Sequence, residues 1–335
     1  MYTVCLDLIP VISIYFFPDE KILTEEEFLK LPDYLLTDIW GSKQDDIEIE
    51  VHNYFEQLKN KGLSGCVAIP FRNIINNDLV YIPYNIFYML VGSNGMAAGN
   101  TIDEAVYQGT CEIYERYAAA LVYYNQLTPP LIPDEVIKEK APIEYNIIEK
   151  LRIQGFQVVV KDFSIKGLLP SIGVLLMKNG KYRLNIGADT CLNIALSRCL
   201  TEVFQGASSD EEVNSIMNPI PKDEFSYFYN NTPDDIAQRT NEFVNFVKNG
   251  TGKFPISLFK DKESYPFSLD AFCSKSSYKE EVESFIKKSI ANNNNFLIRN
   301  SSFLDFPAVH VYIPGISSIG RKLLEFRLDC RPLFV

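Results

Sequence analysis

Ser93-Asn94-Gly95-Met96-Ala97-Ala98-Gly99-Asn100 runs straight into Thr101-Ile102-Asp103-Glu104 and on to Glu112-Ile113-Tyr114-Glu115-Arg116. This is a loop of small residues delivering a helix that carries carboxylates. Thr101 and Glu104 have the Thr-x-x-Glu spacing of a capping box, so a helix is predicted from there to about Asn125, before Pro129-Pro130 stops it. At about 100° per residue, Glu104, Gln108 and Glu115 fall within an arc of about 40°, with Glu112 and then Arg116 further round the same side. Ile102, Val106, Ile113, Tyr117 and Ala120 take the opposite side. Carboxylates, an amide and a guanidinium on one side suit a divalent cation holding phosphates, because hard cations want oxygen ligands and Mg²⁺ takes carboxylates together with substrate phosphates. The competing reading is a solvated acidic face, which is ordinary on amphipathic helices.

A second stretch, Asp189 to Gln205, reads as a helix capped at Asp189 and stopped by Gly206. Arg198, Glu202 and Gln205 stand at i, i+4 and i+7 and share one face. A surface ion pair would explain Arg198 and Glu202 only weakly, because Arg before Glu is the less favourable order and such pairs contribute little.

Taken together, in this order and separated by a strand-rich middle, the two segments resemble the YcaO family. The resemblance rests on an Ala-Gly-Asn-x-x-x-Glu-Ala element, then Glu-x-x-Glu-Arg, then Arg-x-x-x-Glu near a Gln. It covers about Tyr84 to Gln205 closely and reaches more loosely to Pro314-Gly315. It implies an ATP and Mg²⁺ site in which Glu112, Glu115 and Glu202 hold metal, while Asn100, Glu104, Gln108, Arg116, Arg198 and Gln205 hold phosphate or nucleotide. It further implies ATP-dependent phosphorylation of a backbone amide oxygen, giving an azoline ring when a neighbouring side chain is the nucleophile or a thioamide when sulfide is. A peptide or protein is then the substrate, with a leader-peptide-binding or complementing protein as a further partner; a homodimer stays open. Two rival readings come with the family: a non-catalytic scaffold subunit, and an accessory factor in sulfur modification of a ribosomal protein.

The chain also departs from the family pattern. An earlier Lys-Gly/Ser loop and a first Glu-x-x-Glu-Arg helix are not found; the nearest stretch, Glu48 to Glu56, has the wrong spacing and falls where a connecting segment is expected. The chain ends Arg331-Pro332-Leu333-Phe334-Val335, with one proline. The expectation is therefore a YcaO domain short at its N-terminus, slow or inactive toward ATP by itself.

Composition sets the outer bounds. With 335 residues and 47% hydrophobic content, the chain can bury a large core, and one domain spanning 1–335 is expected: 1–83 poorly matched, 84–205 the signature core, 206–335 the remainder. A net charge of -11 argues against a nucleic-acid partner, which wants a basic surface. Seven cysteines without a Cys-x-x-Cys pair suit a reducing compartment, and Cys111 and Cys199 read as core. His52 and His310 form no catalytic or metal constellation, and His310 reads as a strand residue. The apolar run Leu8 to Phe17 is too short to span a bilayer, so a cytoplasmic protein with no membrane partner is expected.

Strands are predicted at Cys66–Pro70, Leu79–Pro83, Phe156–Phe163, Ser171–Met177 and Tyr182–Ile186, with Asn179-Gly180 as a hairpin turn. Helices are predicted at Asn146–Ile153 and Pro233–Asn249. Short turns between adjacent strands favour antiparallel pairing, hence an α+β fold with largely antiparallel or mixed sheets and packed helices.

Overall fold

The computed structural model describes residues 18–40, 44–165, 169–203, 210–230, 232–250, 252–272 and 276–318. The elements run β1 (Lys21–Leu23), α1 (Glu25–Leu29), α2 (Asp33–Trp40), α3 (Gln44–Asn60), β2 (Cys66–Asn73), β3 (Leu79–Pro83), α4 (Tyr84–Val91) and β4 (Met96–Ala98). Then come α5 (Ile102–Tyr124), α6 (Asp134–Lys140), α7 (Pro142–Ile153), β5 (Gln157–Asp162), β6 (Ser171–Lys178), β7 (Lys181–Ala188) and α8 (Leu192–Val203). The last are α9 (Asp210–Ser215), β8 (Asn218–Pro219), α10 (Pro233–Asn249), α11 (Tyr278–Ala291), β9 (Leu297–Asn300) and β10 (Ala308–Tyr312). Among the described residues no helix is long and apolar enough to cross a membrane.

Among the described residues the strands form two antiparallel sheets, and the fold is α+β. The first has the order β1-β2-β9-β10-β4, with β3 also on β2; the second is β5-β6-β7-β8. β2 meets β1 through Cys66–Ala68 and β9 through Arg72–Asn73, so Pro70 falls in the gap between the two registers, where its missing N–H costs no ladder bond. Asn179 and Gly180 both have positive φ, 52° and 72°, and the two-residue turn they make locks the β6–β7 register.

The second sheet is covered on both faces. Ile172, Val174 and Leu176 pack with Leu196 and Cys199 of α8, while Leu175, Leu184 and Ile186 pack with Ala120 and Tyr123 of α5 and Phe243 of α10. That is why β6 reads as a nearly unbroken apolar run, while β7 alternates, with Lys181, Arg183 and Asn185 between apolar residues. Cys111 and Cys199 are free and buried, as core residues.

Helix α5 joins the two halves. Its 23 residues span about 35 Å, so its first half lies in the core under β10 and α11 and its second half under β7. With neighbours on nearly every side, α5 is mostly buried; its partly open residues include the stripe Glu104, Gln108, Glu112, Glu115 and Arg116, together with Tyr117. Ile102, expected on the apolar side, is instead 41% exposed, because the first turn projects beyond the core.

Gly109 faces the 93–95 turn so closely that an added Cβ would sit 2.5 Å from Gly95 O. Gly109→Ala, which stabilises an ordinary helix, should here destabilise by about 1–3 kcal/mol through overpacking. Chemical denaturation gives the sign directly; a gain in stability would contradict the contact.

The N-terminal part departs most from expectation. Glu48–Glu56 is no connecting segment; it belongs to α3, whose Val51, Tyr54 and Phe55 pack on Phe28 of α1. The signal was present as a Thr24/Glu27 capping box, which fixes α1. Helices α7, from Pro142, and α10 agree with expectation at their C-terminal ends.

Candidate functional site

The loop before α5 is held by backbone and side-chain bonds from three directions. Asn94 is buried, its Nδ2 donating to Ser317 O at 2.8 Å, while its carbonyl accepts from His310 Nε2 at 3.0 Å. Burial pushes the His310 pKa down to about 4, so the ring is neutral and serves as a strand residue, as expected. Gly95, at φ 86°, donates its N–H to Glu112 Oε2 at 3.0 Å, and its carbonyl accepts from Val311 N at 2.9 Å. Asn100 donates through N and Nδ2 to Glu104 Oε2, at 2.8 and 2.9 Å. Thr101 Oγ1 accepts from Glu104 N at 3.1 Å, so half of the capping box forms; the Glu104 carboxylate bonds Asn100 instead of closing the other half.

Further along the same stripe the polar groups pair with one another. Arg116 Nη2 lies 2.5 Å from Glu112 Oε1, one turn back. Burial raises the Glu112 pKa, and Arg116 works against the rise. Arg198 of α8 donates to Gln108 Oε1 and lies 3.5 Å from Asp189 Oδ2, a fully buried carboxylate. Asp189 Oδ1 accepts from Cys191 N at 3.0 Å, so Asp189 shapes the turn before α8, and the helix itself begins at Leu192.

Below these pairs lies a cavity of about 440 Å³ between α5, β7, α8 and the end of α10. Glu115, Arg116 and Glu202 line it, together with Arg183, Asn185 and Lys248. Burial pushes the Glu115 pKa up to about 8, with Glu202 adding like-charge repulsion. Glu202 is raised too, by desolvation first, while a hydrogen bond from Asn185 works the other way. Among the described residues no three His, Cys, Asp or Glu side chains are grouped to hold a metal by themselves. The donor set nevertheless fits Mg²⁺, which needs one or two carboxylates when phosphates supply the remaining oxygens.

A sequence model of the YcaO cyclodehydratases, described as ATP- and Mg²⁺-binding, matches residues 13–317. The chain belongs to the YcaO family. The YcaO protein of Escherichia coli K12, a ribosomal protein S12 methylthiotransferase accessory factor, is 29% identical over 306 residues, which is 90% of this chain and 50% of that one. An uncharacterized protein of Haemophilus influenzae is 29% identical over 307 residues, again 90% of this chain and 50% of its own length. The chain thus spans about half the length of these curated relatives. Of solved structures, a heterocyclase in complex with substrate and cofactor superposes with a TM-score of 0.59 at 18% identity, covering 91% of this chain and 42% of that one. The heterocyclase TruD gives 0.53 at 18% identity, over 78% and 36%. At such identities the likeness is one of fold.

Within this YcaO chain the residues singled out from sequence separate into three groups. Glu115, Arg116 and Glu202 reach the cavity. Glu112 stands behind Arg116, and Gln108 with Arg198 bridges α5 to α8. Asn100 and Glu104 tie off the loop at the start of α5. Gln205 lies outside the described residues. Arg183, Asn185 and Lys248 were missed; Arg183 and Asn185 carry a signal, two polar residues at i, i+2 inside the apolar strand Lys181–Ala188.

Glu115 makes stability depend on pH. Its folded-state pKa lies above the unfolded value, so its contribution is fully present below about pH 4.3 and is lost as pH rises through about 8. In EDTA, the melting temperature of the YcaO chain should fall between pH 6 and 8 relative to Glu115→Gln. Parallel profiles for the two proteins would contradict this.

Proposed function

We propose that this YcaO chain carries out ATP- and Mg²⁺-dependent activation of a backbone amide by O-phosphorylation, leading to an azoline or a thioamide in a ribosomally made peptide or protein. The observation that carries the reading is the cavity in which Glu115 and Glu202 stand with Arg116 and Arg183. Mg-ATP, when bound, supplies the phosphoryl group that turns an amide oxygen, a poor leaving group, into a good one. Glu115 and Glu202 are the metal-holding carboxylates of this reading, with Glu112 behind them. Arg116 offsets phosphate charge from a direction set by Glu112 Oε1, an electrostatic contribution that needs no reorganisation once the pair is formed. Asn100, Glu104, Gln108, Arg198 and Gln205 complete the nucleotide side; Gln108 and Arg198 bond one another, so taking part means exchanging that bond for ligand.

Calorimetry tests the assignment. Glu112→Ala with Glu115→Ala should weaken Mg-ATP binding more than about tenfold, or roughly 1.4 kcal/mol. Equal affinity in the double variant and the parent would sink it.

A second reading, an accessory or scaffold role, is favoured by the similarity to the Escherichia coli accessory factor. Phosphate release with a peptide substrate and a leader-binding partner separates the two. Tight peptide binding with no release under any combination selects the scaffold.

A further inference from the structure

Helix α10 carries Phe243, Phe246, Val247 and Gly250 at i, i+3, i+4 and i+7, so its apolar residues form one stripe. The stripe leaves the core as it runs. Phe243 is fully buried against Tyr123 of α5, whereas Phe246 and Val247 are only partly buried and line the cavity together with Ala119. The cavity that holds Glu115, Arg116 and Glu202 therefore has an apolar part as well as a charged one.

Phe246 is fixed from two directions. Phe254 meets its ring in a T-shaped contact at 4.6 Å, and the chain just past α10 is pressed against its backbone: a Cβ at Gly252 would come 2.5 Å from Phe246 N and 2.7 Å from Phe246 Cβ. Only glycine permits that approach. A wall held in place before anything binds lowers the ordering that a ligand has to impose.

Direction along α5 says which group reaches this apolar part. In the reading above, Asn100, Glu104 and Gln108 hold nucleotide, and Glu115 and Glu202 hold metal. At about 1.5 Å per residue, Glu104 lies roughly 16 Å before Glu115 along the helix axis, while Ala119 lies one turn beyond it. Phosphoryl transfer keeps the entering and leaving oxygens roughly in line, so with the nucleotide on the Glu104 side the receiving oxygen enters from the Ala119 side. Phe246 and Val247 stand there. The receiving oxygen belongs to a backbone amide, and what an extended peptide places next to its amide is a side chain. An acidic side chain would have to leave water beside an apolar wall, whereas an aliphatic or aromatic one removes Phe246 and Val247 from water as it enters.

We propose that Phe246 and Val247 form the acceptor-side pocket of this chain, which takes the aliphatic or aromatic side chain of the peptide residue next to the activated amide. This rests on the Mg-nucleotide reading above and names the class of peptide that the same site accepts.

The test is titration calorimetry on the full chain with a non-hydrolysable Mg-ATP analogue present, using blocked tetrapeptides acetyl-Gly-Xaa-Cys-Gly-amide in which Xaa is Leu, Phe, Ala or Asp. The Leu and Phe peptides should bind at least about tenfold tighter than the Ala and Asp peptides. Val247→Trp, which fills the pocket, and Phe246→Ala, which removes its wall, should each erase that difference while the affinity for Mg-ATP alone stays that of the parent. Equal binding of all four peptides by the parent, or none, with Mg-ATP still bound, overturns the pocket and leaves the nucleotide reading standing. A Leu and Phe preference that survives Val247→Trp overturns it as well. If Val247→Trp weakens Mg-ATP instead, the apolar wall holds the nucleobase and the peptide assignment falls. No Mg-ATP binding by the parent chain overturns the nucleotide reading and this one with it. If Phe246→Ala does not fold, because Phe254 has lost its ring partner, Val247→Trp decides alone.

Discussion

Replacing Arg198 with alanine should cost the folded protein about 3–5 kcal/mol, because it strands a buried acid. Asp189 has no solvent exposure, and Arg198 Nη2 lies 3.5 Å from its Oδ2, which accepts no hydrogen bond. Water cannot reach Asp189 to compensate for the missing cation. The Arg198 bond to Gln108 also spans from α8 to α5, so its loss loosens two helices that frame the cavity. Denaturant unfolding of Arg198→Ala, beside Asp189→Asn with Arg198→Gln, checks the mechanism. The double variant removes both charges and should recover most of the loss. A single variant as stable as the parent, but deficient in Mg-ATP binding, would make Arg198 a ligand group and refute its structural share.

Asp38→Ala is expected to have an effect of similar size, about 3–5 kcal/mol, at a position far in sequence from the motifs. Asp38 of α2 is 2% exposed and accepts hydrogen bonds from Tyr312 Oη, from Gly315 N at 2.8 Å and from Ser318 Oγ at 3.3 Å. Alanine leaves three donors short of their partner, each costing about 1–3 kcal/mol where water cannot replace it. The consequence extends beyond stability. The turn that Asp38 pins includes Ser317, whose carbonyl accepts from Asn94, and the next residue, Gly95, bonds Glu112. Amide hydrogen exchange at Gly95 should therefore quicken in Asp38→Ala, and Mg-ATP affinity should fall with it. Unchanged protection at Gly95 would show that the turn holds without Asp38.

Local chemistry along the chain was enough for several elements. Thr101 starts α5, Asn125 ends it, Pro233 opens α10 and Asn179-Gly180 closes the β6–β7 hairpin, because caps, prolines and positive-φ turns act within a few residues. The antiparallel α+β class followed from those short turns, and the Asn100–Arg116 elements taken together with Arg198, Glu202 and Gln205 carried the resemblance to the chain's family. The short N-terminal helices and strands β4 and β9 escaped, since a three- or four-residue strand has no periodicity of its own and exists because a neighbour pairs with it.

Which polar groups meet was decided only by tertiary structure. Helical spacing put Glu104, Gln108, Glu112 and Glu115 on one stripe, but it could not say that Glu112 would turn to Arg116 and Gly95 while Glu115 faced the cavity. Nor could it bring Arg183 and Asn185 of β7 beside Glu202, or Asp38 beneath Gly315. Such encounters depend on the angle at which α5 crosses from one sheet to the other and on how α8 and α10 seat against β7, and those are set by core packing across residues far apart in sequence.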